Sequence, residues 1–412
     1  MASSHSSHEG NIYQEDAENS LRKLLEKSKF WQENPLLLQK LESTDQQNPL
    51  LQKVQGCLVG LAVGDALGAP WEFRPHGAMQ KKNISKMESG GTWGLRAGQW
   101  TDDTSMALCF AISLICCDGF NTYDQLKRYH DWYREGYLSS TGSCFDIGSG
   151  TKEAIRKFER RRDAEPSFDQ MFDQRLNENE MNPEIKKIWN RWKGQQNCGA
   201  NDGAGNGALM RLAPVPIFFH EDETLAVRYA GESSRLTHGD PRSIDACRLY
   251  SLMIVHALKN KTKEEILDWN SYRNSFEPPL HQDIASILKD LPSKRAGYAS
   301  GIRGGGFVVK ALEAALWGFM EDENDFNKGM IKVIQLGDDT DTTAAIYGQL
   351  AGAFYGLQGI SPDWLNSLFA KNFILKIACA LFMLGSRSDE NNLGTTATTE
   401  NTENAPILKT IV

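Results

Sequence analysis

From Val54 to about Ser386 almost every segment of this chain repeats its apolar residues at helical spacing, and runs of strict alternation are hard to find. Met106, Phe110 and Leu114 keep the period, as do Ala246, Leu249, Met253 and Leu258, and again Val308, Leu312, Ala315 and Phe319. An all-α fold follows. Glycines 56, 60, 64 and 68 recur four apart, so they line one face of a helix, and the stretch from Ala344 to Gly356 is similarly rich in small residues. Such faces let helix backbones approach closely in a compact bundle. A length of 412 residues allows one large domain or two medium ones and does not choose between them.

Upstream of the periodic region, residues 19–53 carry an amphipathic pattern through Leu21, Leu25, Phe30 and Leu38 that breaks at Pro35, which predicts a short helical extension. Residues 1–18 and 387–412 are polar and of low complexity, which predicts disorder. Residues 156–202 are charged and contain Pro166 and Pro183, the pattern of a variable lid or insertion.

The balance of 45 Lys and Arg against 53 Asp and Glu, net −8, argues against nucleic acid as a partner, because a polyanion demands a broad basic face. No stretch of about 18 uninterrupted apolar residues is present and the N-terminus is polar, so neither a membrane partner nor a cleaved signal is expected, and the cytoplasm is the expected location. Eight cysteines are scattered without a C-x-x-C pair or zinc spacing, the pattern of free thiols in a reducing compartment.

Two segments set acids and hydroxyls at the mouth of a helix. One is Gln99-Trp100-Thr101-Asp102-Asp103-Thr104, before a helix expected from about Ser105; the other is Gly337-Asp338-Asp339-Thr340-Asp341-Thr342-Thr343, before one expected from Ala344. A single Asp or Thr there would be a helix cap. A cap needs one acceptor, however, and crowding this many carboxylates costs repulsion unless a cation lies between them. Oxygen donors without His or Cys suit a hard cation such as Mg²⁺ or Mn²⁺. If the loops converge, Thr101, Asp102, Asp103, Asp339, Asp341 and Thr342 can hold a two-metal centre. Glu72, which ends the glycine-faced segment, reads on spacing alone as a surface carboxylate. Gly203, Ala204, Gly205, Asn206 and Gly207, just before the pattern Leu209, Met210, Leu212, form either a plain turn or a phosphate cradle at a helix N-terminus.

In this order the elements resemble the ADP-ribosylglycohydrolase family, whose founding members remove ADP-ribose from dinitrogenase reductase and from arginines. The resemblance rests on GCLVGLAVGDALGAPWEF (56–73), GQWTDDTSMAL (98–108), CFDIGSGTKEAI (144–155), GAGNGALMRLAPVPIFF (203–219), SRLTHGDPRSIDAC (234–247), GGFVVKALEAALWGF (305–319) and LGDDTDTTAAIYGQLAGAFYG (336–356). It implies a single helical domain over 54–386 with two Mg²⁺ ions, Mn²⁺ being the alternative, held by the same six oxygen residues. It implies further that Glu72 lies near the scissile bond, that Gly203 through Gly207 hold the diphosphate, and that Thr237 and His238 line the ADP-ribose cleft. Alone, His238 would read as a structural or solvent-facing histidine. Asp338 stands where many relatives have glycine, and Ser149 where Asn is common.

The resemblance implies a hydrolase acting on ADP-ribosylated protein, with ADP-ribose as ligand and Asp103 or Glu72 positioning or deprotonating water. The arginine linkage is the first expectation. Serine-linked or small ADP-ribosyl compounds are the enzymatic alternatives, and a silent ADP-ribose-binding protein is the non-enzymatic one. The acidic C-terminal tail also resembles non-cleaved translocation signals of bacterial effectors.

Overall fold

The computed structural model describes residues 17–164, 187 and 196–387. Apart from Ala17, Glu18 and Arg387, the terminal stretches expected to be disordered lie outside the described residues, as does most of the 156–202 segment. The longer helices run in chain order as α1 (Ala17–Glu26), α2 (Pro35–Glu42), α3 (Pro49–Gly68), α4 (Asp102–Cys117), α5 (Thr122–Glu135), α6 (Ser149–Asp163), α7 (Glu223–Arg235), α8 (Pro241–Leu258), α9 (Gln282–Asp290), α10 (Val308–Met320), α11 (Phe326–Ile334), α12 (Thr340–Tyr355) and α13 (Lys371–Gly385). Among the described residues there is no strand, only isolated bridges such as Arg74 with Asp338 and Gly205 with Phe307. The all-α expectation holds, and residues 156–163, expected to begin an insertion, complete α6.

α3 starts where Asn48 accepts hydrogen bonds from the amides of Leu50 (2.9 Å) and Leu51 (3.1 Å), with Pro49 in the first turn where its missing N–H costs nothing. Beyond Val54 every residue of the helix is buried, which is the signature of a core helix surrounded by others. Pro49–Trp71 is long and apolar enough to cross a membrane by length and composition, but here it is enclosed by protein.

Its glycine face meets α12 in antiparallel register. A Cβ added at Gly56, Gly60, Gly64 or Gly68 would lie closer than 3.0 Å to backbone atoms of Gly352, Gly348, Ala344 and Asp341 respectively. Only hydrogen fits at these positions, and the two helix axes come together accordingly. The pairing places the end of α3 beside the start of α12. There Thr340 Oγ1 donates to the Gly68 carbonyl (2.9 Å), Phe73 N to the Asp338 carbonyl (2.7 Å) and Asp338 N to the Arg74 carbonyl (2.8 Å).

Helices α4, α8, α10, α11 and α13 pack around this pair. The N-terminal helices join the same body: α1 packs on α13, Trp31 Nε1 donates to the Ile115 carbonyl (3.0 Å), and Ser28 Oγ donates to that of Cys116 (2.7 Å). The cysteines are free thiols, as expected.

In a helix interior, Gly→Ala ordinarily stabilises by roughly 0.5–1 kcal/mol. At Gly60 or Gly348 the new methyl meets backbone that cannot step aside, so G60A and G348A should each destabilise by about 1–3 kcal/mol, the usual range for overpacking. Denaturant midpoints would measure this, and an unchanged or raised midpoint would show that the helices can separate without cost.

Candidate active site

The first acidic segment is fixed by a residue of another helix. Asp65, the only acid in α3 and fully buried, accepts at Oδ1 from the amide (2.9 Å) and hydroxyl (3.0 Å) of Thr101, and at Oδ2 from the amide (2.9 Å) and hydroxyl (2.6 Å) of Thr104. It therefore serves as the N-cap of α4, whose own cap residue Thr101 makes no side-chain cap bond. With the cap supplied from outside, Asp102 and Asp103 occupy the first helical turn, where the helix dipole favours negative charge. The helix thus starts at Asp102, not near Ser105, and α12 likewise starts at Thr340, not Ala344, leaving Asp339 at its cap position and Asp341 in its first turn.

The two segments meet. Thr342 Oγ1 donates to Asp103 Oδ1 (3.1 Å), and Thr101 Oγ1 lies 3.4 Å from Asp103 Oδ2. Carboxylate oxygens of Asp65, Asp103 and Asp341 lie within 4.8 Å of one another, as do those of Glu72, Asp146 and Asp341. Asp339 is held by Asn206, whose Nδ2 donates to its Oδ2 (2.8 Å). Asp341 Oδ1 is buried without a hydrogen-bond partner among the described residues.

Burial, and after it the neighbouring carboxylates, raise Asp102, Asp103 and Asp341 well above the usual carboxylate range. Burial pushes Asp65 up to about 6 against the four hydrogen bonds it accepts. Glu72 rises to about 7 through burial, opposed by its hydrogen bond from Trp93 and helped by Asp339 and Asp65. Asp146 rises to about 8 through burial and then through Glu72 and Asp65. An all-oxygen donor set, an orphaned buried carboxylate oxygen and this unrelieved repulsion fit a hard divalent cation. Thr101, Asp102, Asp103, Asp339, Asp341 and Thr342 are all within this cluster or against it.

Beside the cluster opens a cleft of about 420 Å³, lined by Glu72, Asp102, Asp146, Asp339 and Thr342 on the acidic side and by Gly203, Gly205, Asn206, Gly207 and His238 as well. Glu72 is buried, contrary to the surface reading, and its Oε2 accepts from Trp93 Nε1 (2.8 Å). Thr237 lies beneath the cleft and does not line it. Its hydroxyl accepts from Arg211 Nη2 (2.6 Å) and sits 2.9 Å from His238 Nδ1. Because Arg211 can only donate, the Thr237 proton goes to Nδ1, which leaves the proton of a neutral His238 on Nε2. Burial, followed by Arg211, lowers His238 to about 3, so the ring is neutral at ordinary pH. Gly205 and Gly207 leave room for that ring: a Cβ on Gly207 would lie 2.8 Å from its Cε1.

The expectation that the glycine turn opens a helix is corrected. Residues 207–211 form successive turns, and helix resumes only at Pro214, which can start a helix but cannot continue one. The turn is pinned from the side: Asn206 N donates to the Gly306 carbonyl (3.0 Å) and Val308 N to that of Ala204 (2.9 Å). The Asn206 amide is therefore already used. Ala204 does not line the cleft. Asp338 is exposed with φ 60, a left-handed conformation natural to glycine and tolerated by Asp, so its extra charge faces solvent. Asp65, Asp146 and Trp93 belong to the site although no sequence argument gave them a role. For Asp65 a signal existed, a lone acid in an otherwise apolar glycine-faced helix. For Trp93 there was none.

The family model described as ADP-ribosylglycohydrolase matches residues 46–391. ADP-ribosylarginine hydrolase Tri1 of Pseudomonas putida (strain GB-1) is 31% identical over 356 residues, 86% of this chain and 85% of that protein. ADP-ribosyl-[dinitrogen reductase] glycohydrolase of Rhodospirillum rubrum is 25% identical, over 77% of this chain and 90% of its own length. A solved structure, ADP-ribosylglycohydrolase-related protein complex, superposes with a TM-score of 0.62 and 32% identity, covering 82% of this chain and 99% of that one.

The raised carboxylates have a thermodynamic consequence. A group whose folded pKa exceeds its unfolded value, about 4 for Asp and Glu, stabilises the fold fully below that unfolded value and loses the contribution as pH rises through the folded one. With chelator present, the melting temperature should fall between pH 5 and pH 8, the window set by Asp65, Glu72 and Asp146 at about 6, 7 and 8. Glu159 and Glu323, drawn down to about 2 chiefly by hydrogen bonds from Arg134 and Lys328, stay ionised throughout it. If a hard divalent cation such as Mg²⁺ binds only the folded cluster, it should raise the melting temperature more at pH 8 than at pH 5. A flat chelated profile would show that the cluster carries no such repulsion.

Proposed function

Because the chain belongs to the ADP-ribosylglycohydrolase family, we propose that it hydrolyses the bond between ADP-ribose and the arginine side chains of modified proteins, with two Mg²⁺ ions held by Thr101, Asp102, Asp103, Asp339, Asp341 and Thr342. The observation that carries this reading is the meeting of the two acidic segments around Asp341, whose buried Oδ1 has no partner among the described residues. Divalent ions bound there would neutralise the cluster, orient the ribose hydroxyls and make water more acidic.

The chain's own groups do the rest. Asp65 fixes the first turn of α4 and Asn206 fixes Asp339, so the ligand oxygens are placed before any ion arrives. Cleavage at the anomeric carbon passes through a transition state with oxocarbenium character. Glu72 and Asp146 face the cleft, and a divalent cation in the cluster would favour their ionised forms, whose negative charge offsets that character. Of the two candidate bases, Glu72 reaches the cleft whereas Asp103 is enclosed, its oxygens engaged by Thr101 and Thr342. Glu72, held by Trp93, therefore orients and deprotonates the attacking water. His238 offers an Nε2–H donor to an oxygen of the bound ADP-ribose, and the glycines at 203, 205 and 207 let the diphosphate approach the backbone.

The arginine linkage is preferred because the Pseudomonas putida relative is named for that activity at 31% identity. Offering arginine-, serine- and glutamate-linked ADP-ribosylated proteins in parallel, with Mg²⁺ and with chelator, should give Mg²⁺-dependent release from the arginine-linked protein. Asp102→Asn and Asp341→Asn should each lower release by at least about a hundredfold, comparable to losing a key electrostatic stabiliser. Full activity in both variants, or activity indifferent to chelator, would overturn the metal reading; release from serine alone would overturn the linkage.

A further inference from the structure

Large apolar side chains are seldom left in water without a partner to cover them, and a ring of them beside a polar cleft marks a contact surface. Among the described residues, the exposed large hydrophobics are Leu36, on the peripheral helix α2, and Phe73, Trp93 and Phe307 at 63%, 40% and 40% exposure. Phe73 lines the cleft, and Trp93 lies at its edge through its bond to the lining residue Glu72, while Phe307, next to the lining residue Gly306, has the Arg242 guanidinium 5.4 Å from its ring. Phe73 is held at φ 64, a left-handed conformation uncommon for a bulky side chain, at the one turn that links Glu72 to the α12 entry.

Rings and acids are interleaved along the Glu72 edge. The Trp93 ring centroid lies 5.8 Å from that of Phe145, at a 53° tilt, and Phe145 directly precedes Asp146. The carboxylates of Glu72 and Asp146 lie within 4.8 Å of each other and of Asp341, whose second oxygen is unpartnered. Trp93 spends its only N–H on Glu72, so its π face is what remains to offer a ligand. A surface that alternates aromatic faces with carboxylates selects a flat delocalised cation, whose faces stack on rings and whose edge N–H groups pair with carboxylate oxygens. A hydroxyl-linked or neutral leaving group satisfies neither feature.

We propose that Trp93 and Phe145 form an aromatic collar that grips the guanidinium of the ADP-ribosylated arginine, and so determine linkage specificity at the leaving-group side of the cleft. The inference rests on the arginine-directed reading above. The collar acts on the departing side chain, while ADP-ribose is held by the glycine turn and His238.

The test uses the full-length Mg²⁺-loaded protein with Trp93→Leu, Phe145→Leu and Trp93→Phe. For the two leucine variants kcat/KM on an arginine-linked ADP-ribosylated protein should fall about tenfold, the scale of one desolvated cation–π contact. Their Kd for ADP-ribose by calorimetry should stay within about twofold of the wild type. Trp93→Phe keeps a ring and loses the bond to Glu72. It should retain inhibition by agmatine, whereas Trp93→Leu should weaken that inhibition about tenfold. N-carbamoylputrescine, which replaces the guanidinium of agmatine with a neutral urea, should inhibit none of them. Phe145→Leu at wild-type kcat/KM, an equal loss of ADP-ribose affinity, or equal inhibition by agmatine and its urea isostere would each overturn the collar. A wild-type protein inert toward arginine-linked substrate would instead overturn the function on which the collar rests.

Discussion

Where Gly60 meets Gly348, two helix backbones touch with nothing but hydrogen between them, and the chemistry of the molecule is arranged by that approach. Side chains at these positions would hold α3 and α12 apart. The close contact also fixes their register, so the end of one helix, with Asp65 and then Glu72, arrives beside the first turn of the other, with Asp339, Asp341 and Thr342. Asp65 then recruits α4 by capping it from across the interface. Carboxylates from three separate parts of the chain are thereby gathered around one point by helix packing and by hydrogen bonds from threonines.

That gathering is costly, and the expense is visible in the raised pKa of Asp65, Glu72 and Asp146. A cluster of this kind persists because the surrounding apolar core, not the cluster, holds it together. The same core leaves Asp341 with an oxygen that nothing among the described residues satisfies. Structure and electrostatics therefore ask for the same thing, a small hard cation. The donor side of the cleft is built on the opposite logic: Arg211, Thr237 and His238 are joined by hydrogen bonds in a line that ends at a glycine-cleared space.

Much of this was legible in the residues. Helical period gave the all-α class, the four-residue glycine spacing pointed to a close helix contact, and oxygen-only acidic segments pointed to a hard cation. The helix starts were misplaced because Asp102 and Thr340 look like pre-helical caps, and only a cap from a distant residue allows them inside the helix. The sequence leaves the glycine turn open between a plain turn and a helix entry because Leu209, Met210 and Leu212 keep helical spacing, while the lateral bonds to 305–308 that hold the turn join residues about a hundred positions apart. Glu72 looked ordinary because burial by Trp93 depends on the loop between them, which carries no periodic signal. His238 is identified by resemblance, and what makes it a neutral donor is burial and then Arg211, 27 positions away, neither of which spacing can reveal.

The register between α3 and α12 also limits how such a chain can change length. Residues facing each other keep a constant sum of positions from Gly56 with Gly352 to Gly64 with Ala344, so inserting or deleting one residue in either helix rotates everything beyond it by about 100°. Such a change would carry Asp65 or Asp341 away from its neighbours even if the helix itself survived. Growth and shortening are therefore confined to stretches that leave this pair untouched.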